Sequence, residues 1–511
     1  MTINPQDDVS IVQDFYKEMK EIWDRSNSLL GGTDAMRKQG KKYLPQFPEE
    51  SEVAWGYRKN TAFLHNMYRK QINSMIGHIF KKEIEFDDEF PFDDGFIEDV
   101  DLNGNSIDMF MQNVARDVLT KGFSIIFVDN PTDVSDLMLA DIEQRGIRPY
   151  WTRIEPESVI GGIPEIQGGV EVIRQFRWYE SAPTQDGEFS VINKKRIRCI
   201  TPVIVDETDE NGVPIIEDGV PKQREFLEWR VYEQANGGKG EWEIVERGEF
   251  GLPVVSIAII YADKVDWLVS RVAFDDIAWK NIEHWQSSSD QRNILTRVRF
   301  PVRFEKGTDE PSQALGPQSV VHTKNPDAVL EFVQPPTEGV DAGWKDLDRI
   351  EQEIETISLE MRVEPSGETA TGRIIDRLEN MSPLQRIAHQ IQVGGNLALY
   401  FTALFAGKEN GGSMKINKDF GVNTDEKFRL QQLTTMRTNK DLSRITYLEE
   451  VKKLGGISED VDPEQEDAAL QAENELMLRD FGDDGSDNND PSKDERVDDP
   501  TGSNAPDASE D

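Results

Sequence analysis

Gly367 and Gly372, within SGETATGRIIDR from Ser366 to Arg377, have four residues between them, the glycine spacing of a phosphate-cradling loop. Such a loop needs a strand before it and Lys then Ser or Thr after its second glycine, so that an amine neutralises phosphate and a hydroxyl holds magnesium. Here a helical pattern precedes, and Arg373 and Ile374 follow. Both requirements fail. DVDLNGNSIDMF places Asp99, Asp101, Asn103 and Gly104 at the offsets of a calcium loop, but its twelfth position is Phe110, where a bidentate Glu belongs. Phe110 instead falls in phase with Ile107, Val114 and Val118 on a helix capped by Ser106 or Asn105. His65 and His78 share an amphipathic stretch but stand too far apart for one helical metal site. Cys199, the only cysteine, lies in the alternating KKRIRCI and reads as a strand residue. It has no base near it in sequence. The acid pairs Asp275–Asp276 and Asp346–Asp348 are of the type that binds magnesium for phosphoryl transfer, and they are also what the wet face of a helix looks like. No HExxH, no Cys/His cluster and no GxSxG is present, so neither catalysis nor a cofactor or metal is expected.

The composition narrows the class of partner. With 97 acidic against 57 basic residues the net charge is −40. Tight binding to nucleic acid replaces counterions with Lys and Arg, so an ordinary DNA-gripping protein is excluded, whereas a protein that DNA slides past is not. A single cysteine fits a reducing compartment. The start MTINPQDDVS lacks the order of a signal peptide, and the longest apolar run, VVSIAII from Val254, is too short to span a bilayer. A soluble chain without a membrane partner is expected. From Ser458 to Asp511 about twenty acids face three bases among Asn, Ser, Gly and Pro, a composition expected to be disordered. That tail serves either as a solvated solubilising segment or as an acidic docking segment.

Helical periodicity predicts a helix over 11–30, stopped by Gly31-Gly32, and a second over 57–81. FSIIFVDNP reads as a buried strand closed by a turn. Over 150–263 the runs VEVIRQFRWYE, KKRIRCITPVIV, REFLEWRVYE, GEWEIVERGEF and LPVVSIAIIYA predict a meander with one wet face, with Asn211-Gly212 as a hairpin turn. A long helix follows over 266–297, then strands around a turn-rich loop, then a helix over 341–361, together a helical hairpin with an elaborated tip. Glu364-Pro365 breaks that helix, and the pattern resumes from Thr369 to Gly407, with a kink predicted at Pro383 where Ser382 helps to satisfy the freed backbone groups.

This order resembles the portal proteins of tailed bacteriophages. At the residue level GGTDAMRKQGKKYLPQFP from Gly31, LTKGFSIIFVDNP from Leu119, NIEHWQSSSDQRN from Asn281 and ETATGRIIDRLENMSPLQ from Glu368 look like a branch of that family, over about Ile11 to Leu454. The resemblance implies an α+β portal fold: a wing over 1–263, a descending stem helix over 264–297, a clip over 298–340, an ascending stem helix over 341–361, a tunnel loop over 362–369, a kinked wing helix over 370–407, a crown over 408–457 and an acidic tail over 458–511. It implies a homo-oligomeric ring of about twelve chains at one capsid vertex. Double-stranded DNA would pass through it during packaging and ejection, driven by a separate ATP-consuming terminase. Further implied partners are the head–tail adaptor and the major capsid and scaffold proteins, with the chain located in the virion and, during assembly, in the host cytoplasm. By the same likeness Arg362, Glu364, Pro365, Ser366, Gly367, Glu368 and Thr369 face the DNA, with Arg362 touching phosphate transiently and the two glutamates opposing capture. An ordinary solvated turn is the other reading of that segment. The basic residues Arg297, Arg299, Arg303 and Lys306 of the tip meet either acidic partner surfaces or neighbouring carboxylates of the ring. Trp267, Trp279, Trp285 and Trp344 serve either ring contacts or the chain's own core. The remaining alternatives are another head–tail adaptor or scaffold component, and a metal-dependent phosphoryl-transfer enzyme.

Overall fold

The computed structural model describes residues 8–131, 147–207, 214–217, 220–234, 240–299, 302–307, 325–333, 338–360, 382–418, 420, 430, 433–439, 441–453, 457, 461–463, 465–466 and 468–469. These fall into two compact units, Met1–Gly421 and Val422–Asp511.

The first unit begins with α1 (Phe15–Leu30), which buries Phe15, Met19, Trp23 and Leu29 along one face. It starts later than the periodicity predicts because the Gln13 backbone N–H donates to Ile160 O at 3.0 Å and its side chain donates to Gly162 O at 3.0 Å, tying the lead-in to a strand. After α2 (Thr33–Gln39) come α3 (Glu52–Thr61), capped by Ser51, and α4 (Met67–Ile79), capped by Asn66. The single helix expected over 57–81 is therefore two. Asn281 supplies the reason: its side-chain amide donates to His65 O at 2.9 Å and its Oδ1 accepts from Tyr68 N–H at 2.9 Å, which holds the intervening backbone against a distant helix.

β1 (Glu85–Phe86) and α5 (Asp94–Glu98) lead to the loop that imitates a calcium site. There Gly104 N–H donates to Asp99 Oδ1 at 2.8 Å and Asn103 N–H to Asp101 Oδ1 at 3.0 Å, so these carboxylates organise backbone turns. Ser106 caps α6 (Ile107–Lys121), and Gly122, with φ 90°, ends it in the left-handed conformation. β2 (Phe123–Asp129) is buried nearly throughout and sits between β3 (Tyr150–Ile154) and β11 (Ile257–Tyr261), antiparallel to both. Its alternation divides the interior. Phe123, Ile125 and Phe127 join one core with Trp23, Phe176, Trp178 and Ile257; Ile126 and Val128 join the other with Val114, Ile260, Ile391 and Leu399.

The meander contains β4 (Val159–Gln167), β5 (Val170–Asp186) and β6 (Ser190–Asp206); the short pair β7 (Ile216–Glu217) and β8 (Val220–Pro221) forms a separate sheet, and β9 (Gln223–Gln234) and β10 (Trp242–Glu249) complete the meander in the order β10-β9-β6-β5-β4. Asn211-Gly212 lies outside the described residues. The expected last strand of the meander is instead β11 in the other sheet. Ile257, Ala258 and Ile260 are apolar on both faces and require burial on both, which a meander with one wet face cannot supply.

β12 (Lys264–Asp266) pairs with β13 (Val269–Ser270), so the following helix, α7 (Asp275–Arg299), begins at Asp275 rather than Asp266. β14 (Val302–Lys306) pairs antiparallel with β15 (Val329–Val333), and α8 (Glu338–Glu360) follows. α9 (Pro383–Phe405) packs on β11, β2 and α6. The expected kink at Ser382-Pro383 is corrected here to a helix start. Ser382 is extended (ψ 154°), its Oγ accepts from Gln385 N–H at 3.2 Å, and Gln385 Oε1 accepts from Ser382 N–H at 2.8 Å. Proline at the first helical position lacks only a donor that no intrahelical carbonyl would have used. β16 (Met414–Lys415) pairs with β1. In the second unit α10 (Arg444–Lys453) buries Val451.

Gly394 sets how closely α9 approaches β11: a Cβ there would lie 2.1 Å from Ile260 Cγ1. Overpacking of about 1–3 kcal/mol outweighs the gain of up to ~1 kcal/mol that alanine brings to a helix. Gly394→Ala is expected to lower stability in thermal and urea unfolding. Asn281→Ala leaves the buried Tyr68 N–H without its partner and removes one of the two bonds to His65 O, and is expected to cost about 2 kcal/mol, measured in the same way.

Candidate functional site

α7 and α8 form an antiparallel hairpin. Its register is read from cross-helix pairs: Lys280 with Glu353 at 2.7 Å, His284 with Glu351 at 3.0 Å, Ser287 with Asp346 at 2.8 Å, and Gln291 Nε2 with Val340 O at 2.7 Å. The two helices approach closely near the tip, where a Cβ on Gly343 would meet Gln291 Oε1 at 2.0 Å. Apolar residues fix the other face. Ile282, Trp285, Ile350 and Ile354 are buried in the core shared with α4. Toward solvent Arg349 bridges Asp346, Glu283 and Glu353, and Lys280 joins Glu283 and Glu353. The Arg349 hydrogen bond holds the Asp346 carboxyl below the usual carboxylate range, and the Lys280 hydrogen bond does the same for Glu353. Exposed pairs of this kind add little stability one by one, but as a network they fix the register of the hairpin.

Of the residues that the sequence singles out at the tip, Arg297 and Arg299 lie in the last turn of α7. Arg303 and Lys306 lie in β14, opposite Phe332 and Val329. Arg299 and Lys306 are exposed. The strands expected at the tip are thus present as one antiparallel pair. Arg362, Glu364, Pro365, Ser366, Gly367, Glu368 and Thr369 lie outside the described residues, as do Gly372 and Arg373. The four tryptophans divide: Trp267 packs half-buried against the core that holds Trp23 and Phe176. Trp285 is 1% exposed and belongs to the core, whereas Trp279 and Trp344 are 51% and 50% exposed. The Arg25 guanidinium sits 4.4 Å from the Trp279 ring centroid and also pairs with Asp275. Trp279 borders a cleft of about 520 Å³ lined by Asp276, Lys280, Glu283, Gln286 and Ile357.

The acid pairs are not brought together. Asp275 and Asp276 open α7, while Asp346 faces Ser287, about 18 Å further along at roughly 1.5 Å per residue. Asp275 is tied to Arg25 and Asp346 to Arg349.

One constellation escaped the sequence reading. His65, which the sequence sets against His78, stands instead beside His284 and Glu351, with ligand atoms all within 4.8 Å of one another. His65 Nδ1 and His284 Nε2 lie 3.2 and 3.0 Å from the same oxygen, Glu351 Oε1. Burial pushes His284 below the usual imidazole range, against the pull of Glu351. No spacing in the chain signals this cluster, because its members come from the α3–α4 connection, α7 and α8.

Cys199 is buried in β6, and burial pushes its thiol up from 9.0 to about 11. Its thiolate fraction at pH 8 is accordingly lowered by about 100-fold. Alkylation of the native chain at pH 8 is expected to be slower than that of the urea-unfolded chain by at least that factor, as read by mass spectrometry.

A family model described as a domain of unknown function, DUF4055, matches residues 274–406, a little over a quarter of the chain. Those bounds fall one residue outside α7 and α9, so the match takes in the hairpin, its tip and the helix that returns to the core. No curated protein matches the chain. Among solved structures the chain is similar to one in the virion of a native gene transfer agent particle, with 11% identity and a TM-score of 0.34 over 76% of this chain and 89% of that one. It is also similar to one in the neck of an empty gene transfer agent particle, with 11% identity and a TM-score of 0.35 over the same shares.

Proposed function

We propose that this chain is a portal protein, a subunit of a ring at one vertex of a phage-like capsid through which double-stranded DNA is packaged and ejected. The observation that carries the proposal is the order within 274–406: α7, the β14–β15 tip, the antiparallel return of α8, and then α9 packed on the central sheet. In this reading α7 and α8 are the stem, the β14–β15 pair belongs to the clip that docks terminase and adaptor, and residues 362–369 are the tunnel loop. The role is non-enzymatic, with the work of translocation done by a separate motor.

Electrostatics supports the reading. About twelve chains at −40 each carry on the order of −480 formal charges, and a wall so poor in clustered cations offers DNA few phosphate contacts. Screening over about 8 Å confines the repulsion to the surface, so a duplex near the axis still passes. The basic tip stands out against this background. A closed ring needs a heterologous interface between opposite flanks of neighbouring subunits. Trp279, Trp344 and the cleft beside Ile357 are apolar surface of the kind that such contacts cover.

Native mass spectrometry and negative-stain imaging of the purified full chain test the proposal. Closed annular particles of about twelve subunits with a central hole are expected, and Trp279→Ser with Trp344→Ser is expected to shift the population toward smaller species. A chain that stays monomeric under every assembly condition overturns the reading.

A further inference from the structure

We propose that His65, His284 and Glu351 form a binding site for a divalent transition metal ion of the zinc class, which clamps the α7–α8 hairpin to the connection between α3 and α4. The inference does not rest on the portal reading, since the site lies within one chain.

Three observations carry it. The first is geometry. The 3.2 and 3.0 Å separations from Glu351 Oε1 to the two ring nitrogens are close to the edge, about 3.3 Å, of a tetrahedron whose metal–ligand bonds are near 2.0–2.1 Å. The imidazole rings meet edge to face, with centroids 5.4 Å apart, so both nitrogens converge on one carboxylate oxygen without stacking.

The second is preorganisation. His65 is not carried on a loose loop: Asn281, one helical turn before His284 on α7, binds His65 O and Tyr68 N–H, and Met67 N–H also donates to His65 O at 2.9 Å. The next residue, Asn66, anchors to Leu29 O through its side chain at 2.6 Å. His284 is 4% exposed and held by the core around Trp285 and Ile350. Ordering the donors is thus already done by the fold, which is the usual obstacle to a three-ligand site.

The third is charge. Three neighbouring acids of the hairpin, Glu283, Asp346 and Glu353, each have Lys280 or Arg349 beside them. Among the described residues Glu351 is paired only with the two histidines. A carboxylate facing two imidazoles is a donor set of two nitrogens and one oxygen, suited to Zn²⁺ or Co²⁺ and poorly suited to Mg²⁺ or Ca²⁺, which prefer all-oxygen shells. The side chain of His65 is 56% exposed, so the open side of the site admits a water or a further ligand to the fourth position.

The test uses the full chain stripped with a chelator and dialysed, then titrated with Co²⁺ and with Zn²⁺. One Co²⁺ per chain with the intense visible bands of tetrahedral coordination, displaced by Zn²⁺, is expected. Zn²⁺ is also expected to raise Tm. His65→Ala and Glu351→Gln change half-exposed positions, so both variants fold; each is expected to weaken Zn²⁺ binding by about tenfold or more, while His389→Ala, at a surface histidine remote in sequence from the site, leaves it unchanged. Absence of a stoichiometric Co²⁺ spectrum, or Zn²⁺ binding that survives His65→Ala combined with Glu351→Gln, overturns the proposal and leaves a hydrogen-bonded triad. Because the spectra read monomer and ring alike, failure here and failure of the portal reading are separate outcomes.

Discussion

A strand buried on both faces imposes two cores, and β2 is that strand. Its run FSIIFV sends Phe123, Ile125 and Phe127 to one side and Ile126 and Val128 to the other. Each side must then be covered. α1 and the base of the meander close the first, and α6 with α9 closes the second. Such a strand cannot be an edge, and its neighbours β3 and β11 satisfy its backbone on either side. Residues far apart in the chain are gathered by that requirement, which is why β11 leaves the meander that precedes it and why α9 must press close enough to exclude a side chain at Gly394.

The hairpin of α7 and α8 is built differently. Only its inner face belongs to the core, through Ile282, Trp285, Ile350 and Ile354. The rest of its register comes from polar contacts: Gln291 to the Val340 carbonyl, Ser287 to Asp346, and the Arg349 and Lys280 networks. Polar contacts of this kind are directional, so they fix the alignment of two helices where apolar packing alone tolerates sliding.

Much of this was legible in the chain. The helices α1, α6 and α8, the buried strand β2 and the paired strands at the tip follow from periodicity and from caps such as Ser106 and Gly122. Errors arose where a distant partner competes with a local pattern. Gln13 binds β4 and so delays α1; Asn281 binds the backbone around His65 and so divides α3 from α4. Ser382 and Pro383 carry the signals of both a kink and a start, and the reciprocal bonds with Gln385 decide for a start.

By itself, then, the sequence determined the alternation of elements, the net charge of −40 and the failure of each local motif, since all of these depend on residues near one another in the chain or on totals. Only the tertiary structure decided which sheet β11 joins, that Trp285 is core while Trp279 and Trp344 are surface, and that His65 meets His284 and Glu351 rather than His78. Burial and convergence of side chains are properties of packing between elements, and no spacing along one strand or helix encodes them.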